Sequence, residues 1–438
     1  MRLALGLLLA HGVLLTPALS AEGEGGAVVD GHGDGLAILA GKALCVPLEG
    51  PQVINDAVVL IRGKKIEAVG RQGELQVPDG YSVLDVGDRW ISPGMVDLHC
   101  HVAGANFFVN DLNDTVYLTN SGLRAYTGVV PEATGLLRGA AAGVTSVLYI
   151  PGSGSNMGGS GVLLKTAAPT YEEMEIRNPG SLKLAQAGNP EGWAVGVGRA
   201  FMNWNTRNTF RRGLAYAARV RDAANGEGDE PERDIQFDVF RDLLAKRTQV
   251  STHTQIYQVV LMTITMVRKE LGLDVYIDHG SFDGWRTAPL AAKEGVQAIL
   301  GPRAIAVHLD IEYRPNMYIR NDTDGAIFGM AAKYQEGGVK QVGFNTDSPV
   351  IPQEELPLQS AMAVRYGFDT QRAEHVRGLT IVPATTAGIG HRVGSLEPGK
   401  DADIVITDGD PADPRTHVLA TYIEGRKVYS GEERGRTW

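Results

Sequence analysis

The chain has 438 residues, 43% of them hydrophobic and 21% charged, so it is long enough to bury the core of a large domain. Its formal net charge is −10, and no run of Lys or Arg offsets that charge. A nucleic-acid-binding surface is therefore not expected.

The first residues have the pattern of a targeting segment. A positive start at Arg2 is followed by an apolar run, Leu3 to Leu15, and then by small residues up to Ala21. The apolar run is short for a membrane span, so residues 1–21 are predicted to be a secretory signal peptide. We expect a protein that is periplasmic or secreted, with no stable membrane anchor after cleavage; an uncleaved anchor is the alternative. Residues 22–35 are rich in Gly, Asp and Glu and are predicted to be a linker.

Both ends of the remaining chain have the pattern of β-structure. Short apolar runs alternate with tight turns such as Arg62–Lys65 and Glu424–Lys427. We predict that residues 36–91 and 391–432 together form one small β-sandwich domain.

The middle, residues 92–390, alternates strands with helices. Eight such units predict parallel pairing and therefore a (β/α)8 TIM barrel, making the chain an α/β protein. The predicted strands are Met95–His99, Thr145–Ile150, Gly161–Lys165, Leu182–Ala185, Gln249–His253, Asp274–His279, Ala298–Leu300 and Gln341–Asn345.

Metal-binding residue types fall at the carboxyl ends of these strands, where barrel enzymes place their functional groups. The sequence His99-Cys100-His101 closes the first strand, and in an extended strand its two imidazoles share one face. His253, His279 and Asp347 close three later strands. Four histidines and one carboxylate at one barrel mouth predict a divalent-metal site.

The two cysteines, Cys45 and Cys100, are not expected to form a disulfide. Cys100 lies between the two histidines and should point away from the barrel axis. Both are predicted to be small buried hydrophobic residues.

Several motifs resemble the amidohydrolase superfamily of metal-dependent hydrolases, over nearly the whole mature chain. The glycine-rich run Pro151–Gly161 is similar to the branch related to imidazolonepropionase. The motifs that carry the superfamily resemblance are Pro93–His101, Gly143–Val147, Asn345–Pro349 and Val393–Val405. The resemblance implies one or two divalent ions, with Zn²⁺ expected, and a metal-activated water that cleaves amide or other C–N bonds.

The resemblance also implies roles for individual residues. His99, His101 and Asp347 would hold one ion, and His253 and His279 a second. A carbamylated lysine would bridge the ions; Lys183 is expected there, with Lys165 as the alternative. Asp347 would also be catalytic by moving the proton from water to the leaving nitrogen. Asp97 and Asp278 could orient ligand histidines.

Substrate and assembly are less determined. His308, Tyr257, Arg199 and Arg320 are candidates for binding a small-molecule amide or peptide substrate. An exported dipeptidase and a cyclic amidase both fit. Hydrolytic deamination of a heterocycle is one alternative, and an exported binding protein with a vestigial metal site is another. A homo-oligomer is left open.

Overall fold

The computed structural model describes residues 35–104, 117–186, 198–302 and 329–434. Within those ranges no helix has the length and apolar character needed to cross a bilayer. The strands are β1 Gly35–Leu44, β2 Val53–Arg62, β3 Lys65–Arg71, β4 Tyr81–Asp85, β5 Trp90–Pro93, β6 Met95–Cys100, β7 Val144–Tyr149, β8 Met157–Lys165, β9 Glu175–Ala185, β10 Val250–Thr254, β11 Val275–His279, β12 Ala298–Leu300, β13 Val342–Phe344, β14 Ile404–Thr407, β15 Val418–Ile423 and β16 Arg426–Ser430.

The two ends of the chain build one sheet, in the order β16-β15-β14-β5-β1-β2-β3, with β4 also paired to β1. Strand β14 runs antiparallel to β5, which joins the carboxyl-terminal strands to the amino-terminal ones. Alternate residues of β1 fill two separate apolar clusters, with Ile38 in one and Ala37 in the other. Because both faces of β1 are buried, the sheet is covered on each side, as the predicted β-sandwich requires.

The chain crosses from this sheet into the barrel at Gly94, between β5 and β6. A Cβ at Gly94 would lie 2.0 Å from the side-chain oxygen of Thr145 in β7. Only glycine lets the first two barrel strands approach this closely. The crossing therefore fixes where β6, with its histidine pair, enters the barrel.

The eight middle strands form the second sheet, in the order β13-β12-β11-β10-β9-β8-β7-β6. A parallel bridge between Cys100 and Ser348 brings its two edges together, so the barrel is nearly closed. The prediction of eight parallel strands was wrong for one of them, because β8 runs antiparallel to both β7 and β9. Only residues 150–156 separate β7 from β8. A parallel crossover needs a dozen residues or more. A connection of this length therefore forces a hairpin.

Helices connect most of the other strands. They are α1 Thr134–Ala141, α2 Tyr171–Met174, α3 Arg199–Ala224, α4 Asp238–Leu244, α5 Tyr257–Met262, α6 Ala288–Glu294, α7 Met330–Glu336, α8 Leu356–Arg365, α9 Glu374–Arg377, α10 Ile381–Thr386 and α11 Gly431–Arg434. A π-helical stretch, Thr263–Glu270, continues α5. Short 3-10 helices span Ala125–Gly128, Phe282–Thr287 and Gln353–Glu355.

Both cysteines are free and buried, as predicted. Burial raises the pKa of the Cys45 thiol to about 12 and also raises that of Cys100. Cys100 packs in the same apolar cluster as Met95 and Tyr149. It therefore belongs to the barrel core, beside the histidines that flank it.

Candidate metal centre

Six predicted side chains meet at one mouth of the barrel. Four come from strands β6, β9, β10 and β11, and two follow a strand, His101 directly after β6 and Asp347 after β13. These side chains form two overlapping groups that share His99, and the ligand atoms within each group lie within 4.8 Å of one another. One group adds His253 and His279, and the other adds His101 and Asp347. Lys183 completes the set, with its Nζ 3.0 Å from His99 Nε2.

Asp347 is the acid that connects the histidines. Its Oδ1 lies 3.2 Å from Nε2 of both His99 and His101, and its Oδ2 lies 3.9 Å from Nε2 of His279. Burial opposes ionisation of Asp347, but the hydrogen bond with His101 and the nearby His279 hold the pKa of this carboxyl below its ordinary value. Asp347 is thus an anion facing three ring nitrogens.

The other ring nitrogen of each of these histidines is held from outside the centre. His101 Nδ1 donates to the carbonyl oxygen of Ile150 at 2.9 Å, and His279 Nδ1 donates to that of Gly301 at 2.7 Å. A carbonyl oxygen can only accept, so both rings carry their proton on Nδ1. Their Nε2 atoms therefore face Asp347.

The ring of His99 is held by Asp278, whose Oδ2 lies 2.7 Å from His99 Nδ1. The side-chain amide of Asn345 donates to the other oxygen of Asp278 at 3.0 Å. Burial raises the pKa of Asp278, whereas the positive charge of Lys183 lowers it. With donors at both oxygens, Asp278 orients His99 as an outer carboxylate orients a metal ligand.

The residues fit a divalent cation. Burial lowers the pKa values of His99 and His253 well below the usual range and that of His279 to about 4, so these imidazoles are neutral near pH 7. The lone pair of neutral His99 faces the Asp347 carboxylate at 3.2 Å, an arrangement that a cation between the two would stabilise. His253 Nε2 is buried and, within the described residues, has no hydrogen-bond partner. Imidazole nitrogens and a carboxylate are the donor set that zinc prefers.

Local backbone geometry aims two of these side chains. His279 has φ 73 and Asp347 has φ 50, the left-handed region that residues other than glycine seldom adopt. Regular strand alternation would send Asp278 and His279 to opposite faces. The turn of the backbone at His279 instead lets both side chains reach His99.

The two candidate lysines lie at opposite ends of the barrel. Lys183 is fully buried beside His99, and burial lowers its pKa to about 8. Lys165 lies 2.6 Å from Asp403 and 3.0 Å from Asp401, at the end facing the terminal sheet. The alternative of Lys165 as the bridging residue was therefore wrong. Because β8 is antiparallel, its carboxyl end points away from the metal centre.

The glycine-rich run contains a residue that sequence reasoning missed. Ser153 lies in the β7–β8 connection, and its Oγ is 2.8 Å from His253 Nδ1. Residues 150–156 form this connection, and they contact the centre through the side chain of Ser153 and the backbone carbonyl of Ile150. The glycines that follow, from Gly158 onward, belong to β8.

The substrate-binding candidates are dispersed. The Tyr257 ring lies under the guanidinium of Arg286, 4.7 Å from ring centroid to Cζ. Arg199 is exposed at the start of α3. Within the described residues, Tyr257 has no hydrogen bond or ring contact with the six central side chains. His308 and Arg320 lie outside the described residues.

Comparisons with known proteins find matches among amidohydrolases. The amidohydrolase family profile matches residues 313–430, which include Asp347. An imidazolonepropionase of Deinococcus radiodurans is 25% identical over 84% of this chain and 91% of its own length. The crystal structure of an amidohydrolase from Thermotoga maritima superposes with a TM-score of 0.77 at 26% identity, covering 90% of this chain and all of the other.

Over most of its length the chain is similar to members of the amidohydrolase superfamily. Within it, the similarity lies on the branch related to imidazolonepropionase, as the glycine-rich run indicated. Enzymatic hydrolysis of C–N bonds is the activity that these similarities support for the chain. A further relative, amidohydrolase tasK of Hapsidospora irregularis, is 24% identical over 84% of this chain. The chain spans only 39% of the length of that relative.

Proposed function

We propose that this amidohydrolase cleaves an amide bond in a small molecule, with divalent metal held by the six side chains at the barrel mouth. The observation that carries the proposal is the convergence of histidine Nε2 atoms on Asp347, 3.2 Å from those of His99 and His101. A divalent cation between these atoms would be attracted by all of them. With one, the arrangement matches the ligand set of a catalytic metal site.

The residues of the centre have separate roles in the proposed hydrolysis. A divalent ion here would lower the pKa of water and polarise a substrate carbonyl. Asp347, ionised and in contact with His101, is placed to accept a proton from the attacking water and return it to the leaving nitrogen. Asp278 and the carbonyl groups of Ile150 and Gly301 hold the histidine rings in the ligating tautomer.

Two ions fit the two overlapping ligand groups if Lys183 is carbamylated. A lysine cation cannot ligate a metal, whereas a carbamate is an anion with two oxygens. Lys183 is buried and, in the described part of the chain, makes no ion pair. Its 3.0 Å contact with His99 Nε2 puts a carbamate oxygen within reach of both groups. We propose Zn²⁺ as the metal.

A cyclic amide is the substrate class to test first. Relatives named imidazolonepropionase cover most of this chain, and that name refers to a nitrogen heterocycle opened by hydrolysis. A linear dipeptide is the second candidate. Deamination of a heterocycle has less support, because Thr254-Gln255 and Gly280-Ser281 follow the histidines and no acid follows them directly.

The test is a screen of zinc-loaded enzyme, supplied with bicarbonate, against lactams and related cyclic amides, dipeptides and acylated amino acids. Asp347→Asn protein, loaded in the same way, is the control for contaminating hydrolases. We expect ring opening or peptide cleavage by the parent protein only. Ammonia release from an aminated heterocycle would favour a deaminase. Tight metal binding without any turnover would favour a binding protein.

We also propose that residues 1–21 direct export. N-terminal sequencing of protein from the periplasmic and medium fractions tests this, with cleavage after Ala21 as the expected result. Full-length chain in the cytoplasmic fraction alone would contradict it.

A further inference from the structure

A second cleft lies at the opposite end of the barrel from the metal centre. It has a volume of about 670 Å³, within the range of small-molecule sites. It is lined by the residues that precede three parallel strands, Gln249, Asp274 and Gln297, and by the end of α10. Residues at this end of a barrel usually serve stability, so a cleft with free polar groups there calls for a separate explanation.

The charge of this cleft is opposite to that of the whole chain. Four cations and two carboxylates line it, whereas the chain carries a net −10. Both carboxylates are already paired. Arg247 lies 2.7 Å from Asp242, and Arg268 lies 2.8 Å from Asp274. Two lining cations, Arg177 and Lys246, have no ion pair within the described ranges.

Arg177 is the more informative of the two. Its Nη2 donates to the carbonyl oxygen of Gly180 and to Gln249 Oε1, each at 2.8 Å, which fixes the plane of the guanidinium. Its Nε is buried without a partner among the described residues. Burial lowers the pKa of Arg177, and no carboxylate offsets that cost. A guanidinium held rigidly by neutral groups has donors left for an anion.

Neighbouring groups keep the space beside Arg177 open and polar. A Cβ at Gly388 would lie 3.1 Å from Arg177 Nη1, so the glycine leaves that nitrogen uncrowded. Gln249 Nε2 and Thr248 Oγ1, both in buried residues that line the cleft, also lack partners in the described part of the chain. Unpaired donors around an unpaired cation are the features of an anion subsite.

We propose that this cleft binds a small polyanion, carrying phosphate or carboxylate groups, with Arg177 as its anchor and Lys246 as a second contact. The site is distinct from the metal centre: Arg177 and Lys183 lie on the same strand, β9, but the lysine is six residues closer to the metal mouth. The proposal does not depend on which C–N bond the enzyme cleaves.

Calorimetric titration of the metal-loaded enzyme with inorganic phosphate, and separately with citrate, tests the proposal. We expect saturable binding of at least one of them; the stronger one identifies phosphate or carboxylate as the preferred group. Both anions also coordinate divalent ions, so the titration can contain binding at the metal centre as well. Binding at the cleft is the part of the signal that a cleft variant removes. Arg177→Gln should weaken that component by about tenfold to 100-fold.

Two further variants make the result decisive. Lys246 has φ 55, a conformation that Asn tolerates, so Lys246→Asn should fold and weaken binding by about twofold to fivefold. Arg241→Gln removes one charge from α4, the helix that ends just before Lys246, but from outside the cleft, and should change affinity less than about twofold. Absence of a saturable component, or equal binding by the Lys246→Asn and Arg241→Gln proteins, would overturn the proposal even if Arg177→Gln fails to fold.

Discussion

His99 and Asp278, 179 residues apart in the chain, meet in the barrel with 2.7 Å between His99 Nδ1 and Asp278 Oδ2. Both side chains are fully buried. This contact fixes which nitrogen of His99 faces the centre, and His99 is the residue that the two groups of candidate ligands share. The orientation of one ring thus affects both halves of the site.

Replacing Asp278 by Asn should weaken metal binding without unfolding the protein. The amide can accept the His99 proton but no longer supplies negative charge to the ring. Loss of such an outer carboxylate typically costs about 10-fold to 100-fold in metal affinity. Competition with a chromophoric chelator measures this affinity. Asp222→Asn, an acid on the exposed side of α3, is the matched control and should leave it unchanged.

Asp347→Asn should remove activity and keep the fold. Asn accepts the positive φ at this position, so the backbone is not expected to move. Without a group to move the proton, turnover should fall by about 100-fold to 10,000-fold. Steady-state kinetics on the substrate found in the screen measures the loss, and the melting temperature checks the fold. Turnover within about twofold of the parent would exclude Asp347 from the mechanism.

Lys183→Met should abolish a dependence on bicarbonate. If Lys183 carries a carbamate, metal loading of the parent protein in CO₂-free buffer should be incomplete and should recover when bicarbonate is added. The variant should load less metal and show no such recovery. Metal analysis after gel filtration gives the readout. Equal loading of the parent with and without bicarbonate would argue for an unmodified lysine.

The sequence predicted that these candidate ligands converge because strand-end position is a local property. Each candidate ligand follows or closes a strongly apolar run, and parallel strands bring such ends together. These ligands are His99, His101, His253, His279 and Asp347. The direction of β8 was predicted wrongly, because the alternation of strands and helices indicated a parallel strand. The seven-residue connection before β8, residues 150–156, is too short for a parallel crossover. The contact between Asp278 and His99 depends on the backbone turn at His279, which no side-chain pattern reveals.

Lys165→Met should be strongly destabilising but leave the metal centre intact. Lys165 is 1% exposed and lies between Asp401 and Asp403, which are equally buried. Removing the lysine leaves the buried carboxylate of Asp403 without a cation and takes one of three cations from Asp401, and loss of one partner of a buried ion pair typically costs about 3–5 kcal/mol. Lys65→Met is the matched control: Lys65 also pairs with Asp401 but is half exposed, so about 1 kcal/mol or less is expected. Urea unfolding compares the two, and metal content should be unchanged in both.

The same cluster should make stability fall in acid. Burial raises the pKa of Asp401, but Lys165, Lys65 and Arg392 outweigh burial and lower it from 3.8 to about 2. Between those pH values the unfolded chain binds more protons than the folded one, so the free energy of unfolding decreases as pH falls. Above about pH 5 the contribution of Asp401 should be complete and nearly independent of pH.

Urea unfolding of the metal-free protein at several pH values from 5 to 2 measures this slope, without interference from ligand protonation at a loaded centre. Asp401→Asn should be less stable at pH 5 and should have a shallower slope in acid than the parent. Asp413→Asn is the matched control for an exposed carboxylate whose pKa is also lowered to about 2, by Arg415. Because Asp413 pairs in solvent, its replacement should change stability little at pH 5. Equal slopes for the parent and the Asp401→Asn protein would show that the ion cluster does not determine acid stability.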